Sequence, residues 1–346
     1  MISRAQMADR LDLSPSSPTK TFVLEAHSDD PGALLREIVG PGNVQDTADA
    51  YLFRAEIPQG SVWVDQLNER FWSIHTDLPV RDASSFLSPI VEKRRDVDWI
   101  WLPSDHLRNV WPDSVSRRVR TSFQGGRFVD SNSPAQDLKV QLSGRDADAL
   151  LDVIASDSRY RSAVSFDSVQ ASIADPDFGS IEEAVNKMGR FAVSGDSFEL
   201  HSQFVQQVVE RYSNLVYLCE QASIGFEPLE TLMGDGGGNL RGGPIVIQFS
   251  REIDDLANFS STLFSARQPF RLWGIPEVHR NHVEVEAVDL HVGQPLPIDI
   301  GRDWMRIYLY AGHCGNTVAR LITNLQHTFD GALTLENPVL EAALHL

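Results

Sequence analysis

The sequence predicts an α+β protein made of tandem β-α-β-β-β-α units, with largely antiparallel sheets, helices on one face and an internal pseudo-repeat. Three observations carry this. Met305, Ile307 and Leu309 alternate with Arg306, Tyr308 and Tyr310, the two-residue period of a half-buried strand, and Val318, Leu321, Ile322, Leu325 and Phe329 follow at helical spacing. The same helical spacing stands at Val205, Val208, Val209, Tyr212 and Val216, which points to a repeated unit. Hairpins outnumber strand-helix-strand crossovers, so the layers should be antiparallel.

In chain order, residues 1–20 read as a flexible lead-in, because the Ser-Pro-Ser-Ser-Pro run has little to bury. The first unit, 21–102, opens with the strand Phe22–Glu25 and a helix that Asp29 and Asp30 cap, Pro31 opens and Pro41-Gly42 stops. Strands at Tyr51–Ile57, Val62–Leu67 and Arg70–His75 precede a helix with Phe86, Leu87, Ile90 and Val91 on one face, and a strand Asp98–Leu102 ends the unit. Residues 103–137 lose the pattern at Gln124-Gly125-Gly126 and read as a connector.

The second unit, 138–221, has a strand at Leu138–Leu142, a helix at Asp146–Ala155, an extended stretch at Ala163–Ile173 and a short inserted helix at Ile181–Met188. A hairpin of Arg190–Ser194 with Phe198–His201 then leads to the closing helix. Residues 222–243, glycine-rich at their end, read as a linker. The third unit, 244–330, repeats the order: Ile245–Phe249, a helix Glu252–Phe264, strands at Phe270–Trp273 and Val283–Val292, and the hairpin and helix described first. The tail, 331–346, carries Leu335, Leu340 and Leu344, which need a surface to cover them.

Thirty basic against 48 acidic side chains give a net charge of −18, which disfavours general nucleic-acid binding and suits a basic protein partner or self-association. Only four of the basic residues are lysines. No apolar run is long enough to span a membrane and no secretory signal opens the chain, so a cytoplasmic protein without membrane attachment is expected. Two cysteines are too few for a disulfide framework.

Four clusters carry chemistry. Cys314 stands before a helix with His313 adjacent, where a thiol can be activated as a nucleophile; a tight structural turn is the alternative. His279, His282 and His291, with Glu284, Glu286 and Asp289 between them, supply metal ligands on one strand, although the acids also fit its wet face. An alternation shift before Asp289 suggests a bulge. Arg117, Arg118, Arg120 and Arg127, interleaved with Phe123 and Phe128, form an acid-free strip that could contact phosphates and bases, or neutralise acidic surface. The glycines of 234–243 could cradle an anion, but they lack the Lys-Ser/Thr ending of a P-loop.

None of these completes a catalytic constellation. The expectation is therefore a non-enzymatic binding, assembly or immunity-like regulatory protein that needs no cofactor and meets a protein partner through its α+β surface. A thiol- or metal-dependent hydrolase at Cys314 or the His279–His291 strand is the second reading, and a nucleic-acid binder using Arg117–Arg127 the third.

Overall fold

The computed structural model describes residues 3–11, 13–66, 68–112, 114, 116–129, 136–228 and 238–345. The fold is mixed α+β, and its strand pairings are antiparallel within two large sheets. The larger sheet has eleven strands. Its path runs Val44–Asp46, Leu52–Ile57, Gly60–Asp65, Phe71–Thr76, Thr19–Ala26, Arg190–Gly195, Gly179–Asn186, Phe166–Asp175, Arg117–Gln124 and Asp137–Ser143, with Val97–Trp99 beside the end of Thr19–Ala26.

The strand Thr19–Ala26 is its centre. All eight residues are buried, and three neighbours pair with it: Thr19 opposes Val193, Thr21 opposes His75 and Leu24 opposes Trp99. A central strand with Thr19, Lys20, Thr21 and Glu25 among its residues is stable only if each polar group finds a partner. Thr21 Oγ1 lies 2.8 Å from His75 Nδ1 and 2.7 Å from His201 Nε2, and His201 Nδ1 lies 2.6 Å from Glu183 Oε1.

The second sheet has seven strands, in the order Leu272–Trp273, Val283–Asp289, Pro295–Ile300, Trp304–Ile307, Ile245–Gln248 and Thr334–Leu335, with Pro276–Val278 also on Val283–Asp289. Between the sheets lies the helix Asn316–Thr328. Every residue from Asn316 to His327 is buried, so the polar face expected to meet water meets protein instead. Its polar side chains are bonded: Thr323 Oγ1 donates to Trp101 O at 2.9 Å, Gln326 Oε1 accepts from Ser104 N–H at 2.8 Å, and Arg320 donates to both Asp98 and Asp289.

Several elements differ from the sequence expectation. Residues 1–20 are not all a loose lead-in: Ser3 caps a helix Arg4–Ala8, and Met7 is buried against Leu52 and Trp63. The connector 103–137 contains a helix Ser104–Arg108 and the strand Arg117–Gln124, which pairs on both sides. The alternation of Val119, Thr121 and Phe123 inward supports that strand where three arginines masked its period. Ile181–Met188 is largely strand, since Ile181, Glu183 and Val185 alternate inward, and Phe198–His201 starts the helix Phe198–Gln221 because Ser197 accepts from Leu200 N–H. No bulge precedes Asp289; Val283–Asp289 alternates regularly and places Asp289 inward, against Arg320.

Residues 21–102 and 138–221 share one sheet through the Thr19–Val193 pairing. In the first expected unit the second, third, fourth and first strands lie side by side in that order, and in the third the second to fifth strands lie in order with the first beside the fifth. In the second, Asp137–Ser143 lies at the far edge and Thr19–Ala26 takes the place beside Arg190–Gly195. Within 222–243, Gly225–Pro228 pairs with Gly238–Arg241, and the rest of the glycine-rich stretch, 229–237, lies outside the described residues. The tail is docked: Thr334–Leu335 extends the smaller sheet, and the helix Pro338–Leu344, capped by Asn337, packs on Phe198–Gln221. Among the described residues no helix is long and apolar enough to cross a membrane.

Candidate metal centre

Three chain segments bring four donor residues to one point between the sheets. Glu25 is the penultimate residue of the central strand, and His27 follows it. His291 lies just beyond the strand Val283–Asp289, in the turn that Gly293 closes at φ +74°. Cys314 immediately precedes Gly315, the N-cap of the interlayer helix. Glu25, His291 and Cys314 are buried, whereas the His27 side chain is one-third exposed.

One donor atom from each of the four residues lies within 4.8 Å of all the others. Glu25 Oε2 is 3.3 Å from His291 Nε2, 3.4 Å from His27 Nε2 and 3.5 Å from Cys314 Sγ; the thiol is 3.4 Å from His27 Nε2. Zinc bonds of about 2.05 Å to nitrogen or oxygen and about 2.3 Å to sulfur give tetrahedron edges of about 3.3 Å and about 3.5 Å. Four of the six donor separations, at 3.3 to 3.5 Å, match these edges, and the other two are within 4.8 Å. The residue types suit a borderline-soft ion: thiolate, two imidazoles and one carboxylate.

Surrounding groups hold the donors in place. Arg70, at the head of the Phe71–Thr76 strand, donates to Glu25 Oε1 through Nε at 2.8 Å and Nη2 at 2.7 Å, leaving Oε2 toward the other donors. The same guanidinium holds Glu220 at 2.7 and 3.2 Å, and Glu220 accepts Gly315 N–H at 2.9 Å, a carboxylate at the positive end of the helix. Cys314 N–H donates to Gln294 Oε1 at 3.1 Å, and His291 N–H to Asp289 Oδ1 at 3.0 Å. Such outer contacts fix ligand orientation. His291 Nδ1 is buried without a hydrogen-bond partner.

Electrostatics favour a cation here. Burial pushes the Glu25 carboxyl up, but hydrogen bonds from His27 and His291 and the charge of Arg70 hold it well below the usual carboxylate range. Burial and the Glu25 charge push the Cys314 thiol well up, so without a cation it stays protonated and is a poor nucleophile. A metal ion reverses that, because a coordinating thiol is deprotonated outright.

The expected site residues separate. Cys314 joins the cluster, but its imidazole neighbour is His27, not the adjacent His313, whose ring packs on Tyr310 at 5.6 Å. Of the three histidines, only His291 reaches the site. His279 and His282 stack at 4.6 Å at the other end of the strand, where His282 meets Glu284 at 2.9 Å. Arg117 does not belong to a surface strip: it is buried and donates to Val110 O, Arg108 O and Asp148. Arg118 and Arg120 face solvent, and Arg127 lines a separate cleft. Elsewhere, His75 meets Thr21, and His201 meets Glu183 and Thr21. Sequence reasoning passed over Glu25, His27, Arg70 and Glu220. The only signal was Glu25-x-His27 at a strand end, which has no meaning until His291 and Cys314 are beside it.

A curated protein of Methanocaldococcus jannaschii, described as the uncharacterized protein MJECL33, is 24% identical over 378 aligned positions, covering 96% of this chain and 90% of its own length. No solved structure matches significantly. The model of the MJECL33-like proteins matches residues 7–342, and the chain belongs to that family.

Proposed function

We propose that the protein is a metal-dependent hydrolase whose zinc-class ion is held by Glu25, His27, His291 and Cys314. The observation that supports this best is the match of the donor separations to a zinc tetrahedron. The centre opens on a polar cleft of about 390 Å³, lined by Arg70, Glu220, Gln294 and His313. Four protein donors make a closed site, whereas three leave room for water. Glu25, whose other oxygen Arg70 already holds, would be the donor able to yield its place to a water, which the metal would activate. A reducing, cytoplasmic setting that keeps Cys314 as a thiol fits this reading.

The test is metal content. Protein purified without a polyhistidine tag should carry close to one zinc per chain, and its cobalt form should show a sulfur-to-cobalt charge-transfer band that Cys314→Ser abolishes. Metal-free protein that takes up no zinc in equilibrium dialysis refutes the proposal.

A second reading, a binding or assembly protein meeting a basic partner or another copy of itself, is favoured by exposed apolar groups on an acidic chain. Ile275 is 77% exposed beside Trp273 and Val278 at a sheet edge, and Phe226 opposes Leu240 on the two-stranded arm. Light scattering and copurification test it: a monomer that brings down no stoichiometric partner counts against it.

A further inference from the structure

The geometry points to a nucleoside triphosphate site in the cleft where one face of the larger sheet meets the C-terminal half of the interlayer helix, with Arg127 and Lys139 on an aromatic floor of Trp99, Trp101 and Phe270. This cleft is about 680 Å³, within the range of small-ligand sites, and lies apart from the metal centre. The proposal does not rest on the hydrolase reading.

The sheet supplies its wall by simple alternation. Ser122 opposes Lys139 and Gln124 opposes Asp137 across adjacent strands, so all four line the same cleft. Two of the four lysines in the chain, Lys139 and Lys187, open onto it. Lys187 is held by Asp167 at 3.0 Å, but neither Lys139 nor Arg127 has a carboxylate within ion-pair distance among the described residues. Arg127 makes one long contact, 3.4 Å, to Gln268 O. Both side chains are exposed, and buried indole and phenyl rings line the same cleft.

A base has apolar walls to occupy, and a polyphosphate has two cations to meet. Acids also border the cleft, at Asp137 and Glu92. They disfavour a bare anion and suit one that arrives with magnesium, whose preferred ligands are carboxylates and phosphate oxygens.

Titration of the full chain with Mg·ATP, followed by tryptophan fluorescence, tests the assignment. The expected result is saturable quenching with a Kd below about 1 mM, weakened at least about tenfold in the double variant Lys139→Gln/Arg127→Gln, which changes only groups at the cleft mouth. Sodium tripolyphosphate and adenosine should each bind at least about tenfold more weakly than ATP, because each offers half of the chemistry. Absence of saturable quenching at about 5 mM Mg·ATP overturns the proposal, as does an unchanged Kd in the folded double variant or equal binding of tripolyphosphate. Zinc content and the cobalt spectrum report the metal centre separately in the same preparations.

Discussion

Arg320 has the most exacting surroundings of any residue in the molecule. Its guanidinium is fully buried and donates to Asp98 in one sheet, Asp289 in the other and, at 3.0 Å, to Phe270 O. Burial pushes the Asp289 carboxyl up, and the charges of Arg320 and His291 with the hydrogen bonds from Thr317 and the His291 N–H together more than reverse that push. Arg320→Ala therefore leaves Asp289 without its buried guanidinium and Asp98 with Arg271 alone, at 3.5 Å, and should destabilise the fold by about 3–5 kcal/mol. Urea denaturation decides this, and a loss under about 1 kcal/mol would show that the triad is dispensable. The two cysteines illustrate the same dependence on surroundings. Cys219 sits in the core, where burial raises its thiol to about 12, whereas Cys314 has Glu25, His27 and His291 as neighbours that could share a metal ion with it.

Among the elements, the interlayer helix and the central strand position everything at the candidate centre. One sets Cys314 at its N-terminus, and the other delivers Glu25 and His27 at its end. The tail helix Pro338–Leu344 is a structural clamp: Leu340, Ala343 and Leu344 are buried, and Ala343 O meets His106 Nε2 at 2.8 Å. Ending the chain after Asn337 should cost about 3–6 kcal/mol from the two leucines alone and expose surface that binds a hydrophobic dye. Unchanged thermal stability and no added dye binding would mean that the helix merely rests on the surface.

For the whole molecule, the buried neutral histidines set a pH limit. Burial, helped by the neighbouring His201 charge, lowers His75 to about 3; burial lowers His106 to about 4, against the hydrogen bond to Ala343. The unfolded chain takes up protons on these residues near their ordinary value of about 6.5, while the folded chain does not, so stability is complete above that pH and declines as pH falls. Between about pH 6 and pH 4 the two together should remove up to about 2.7 kcal/mol per pH unit. Urea midpoints at pH 7, 6 and 5 measure this. His75→Phe, which removes one titrating group, should lower the slope by about 1.4 kcal/mol per pH unit.

The sequence determined the class of fold and most of its parts, because local period and capping chemistry suffice for them: Asp30 caps its helix, the helix expected over Glu252–Phe264 forms over the shorter Leu256–Leu263, and the hairpin Pro295–Ile300 with Trp304–Ile307 forms. It misassigned Phe198–His201 and Ile181–Met188 yet kept the β-α-β-β-β-α order, since the two errors exchanged one strand for another. It identified Cys314 and His291 separately, but only the tertiary structure decided that they are neighbours, with Glu25 and His27 completing the set. The residues lie up to 289 positions apart along the chain. Local periodicity reaches a few turns, whereas a metal-sized cluster depends on which strand ends the two sheets bring together around one buried helix. That packing is a property of the whole chain, and no short stretch encodes it.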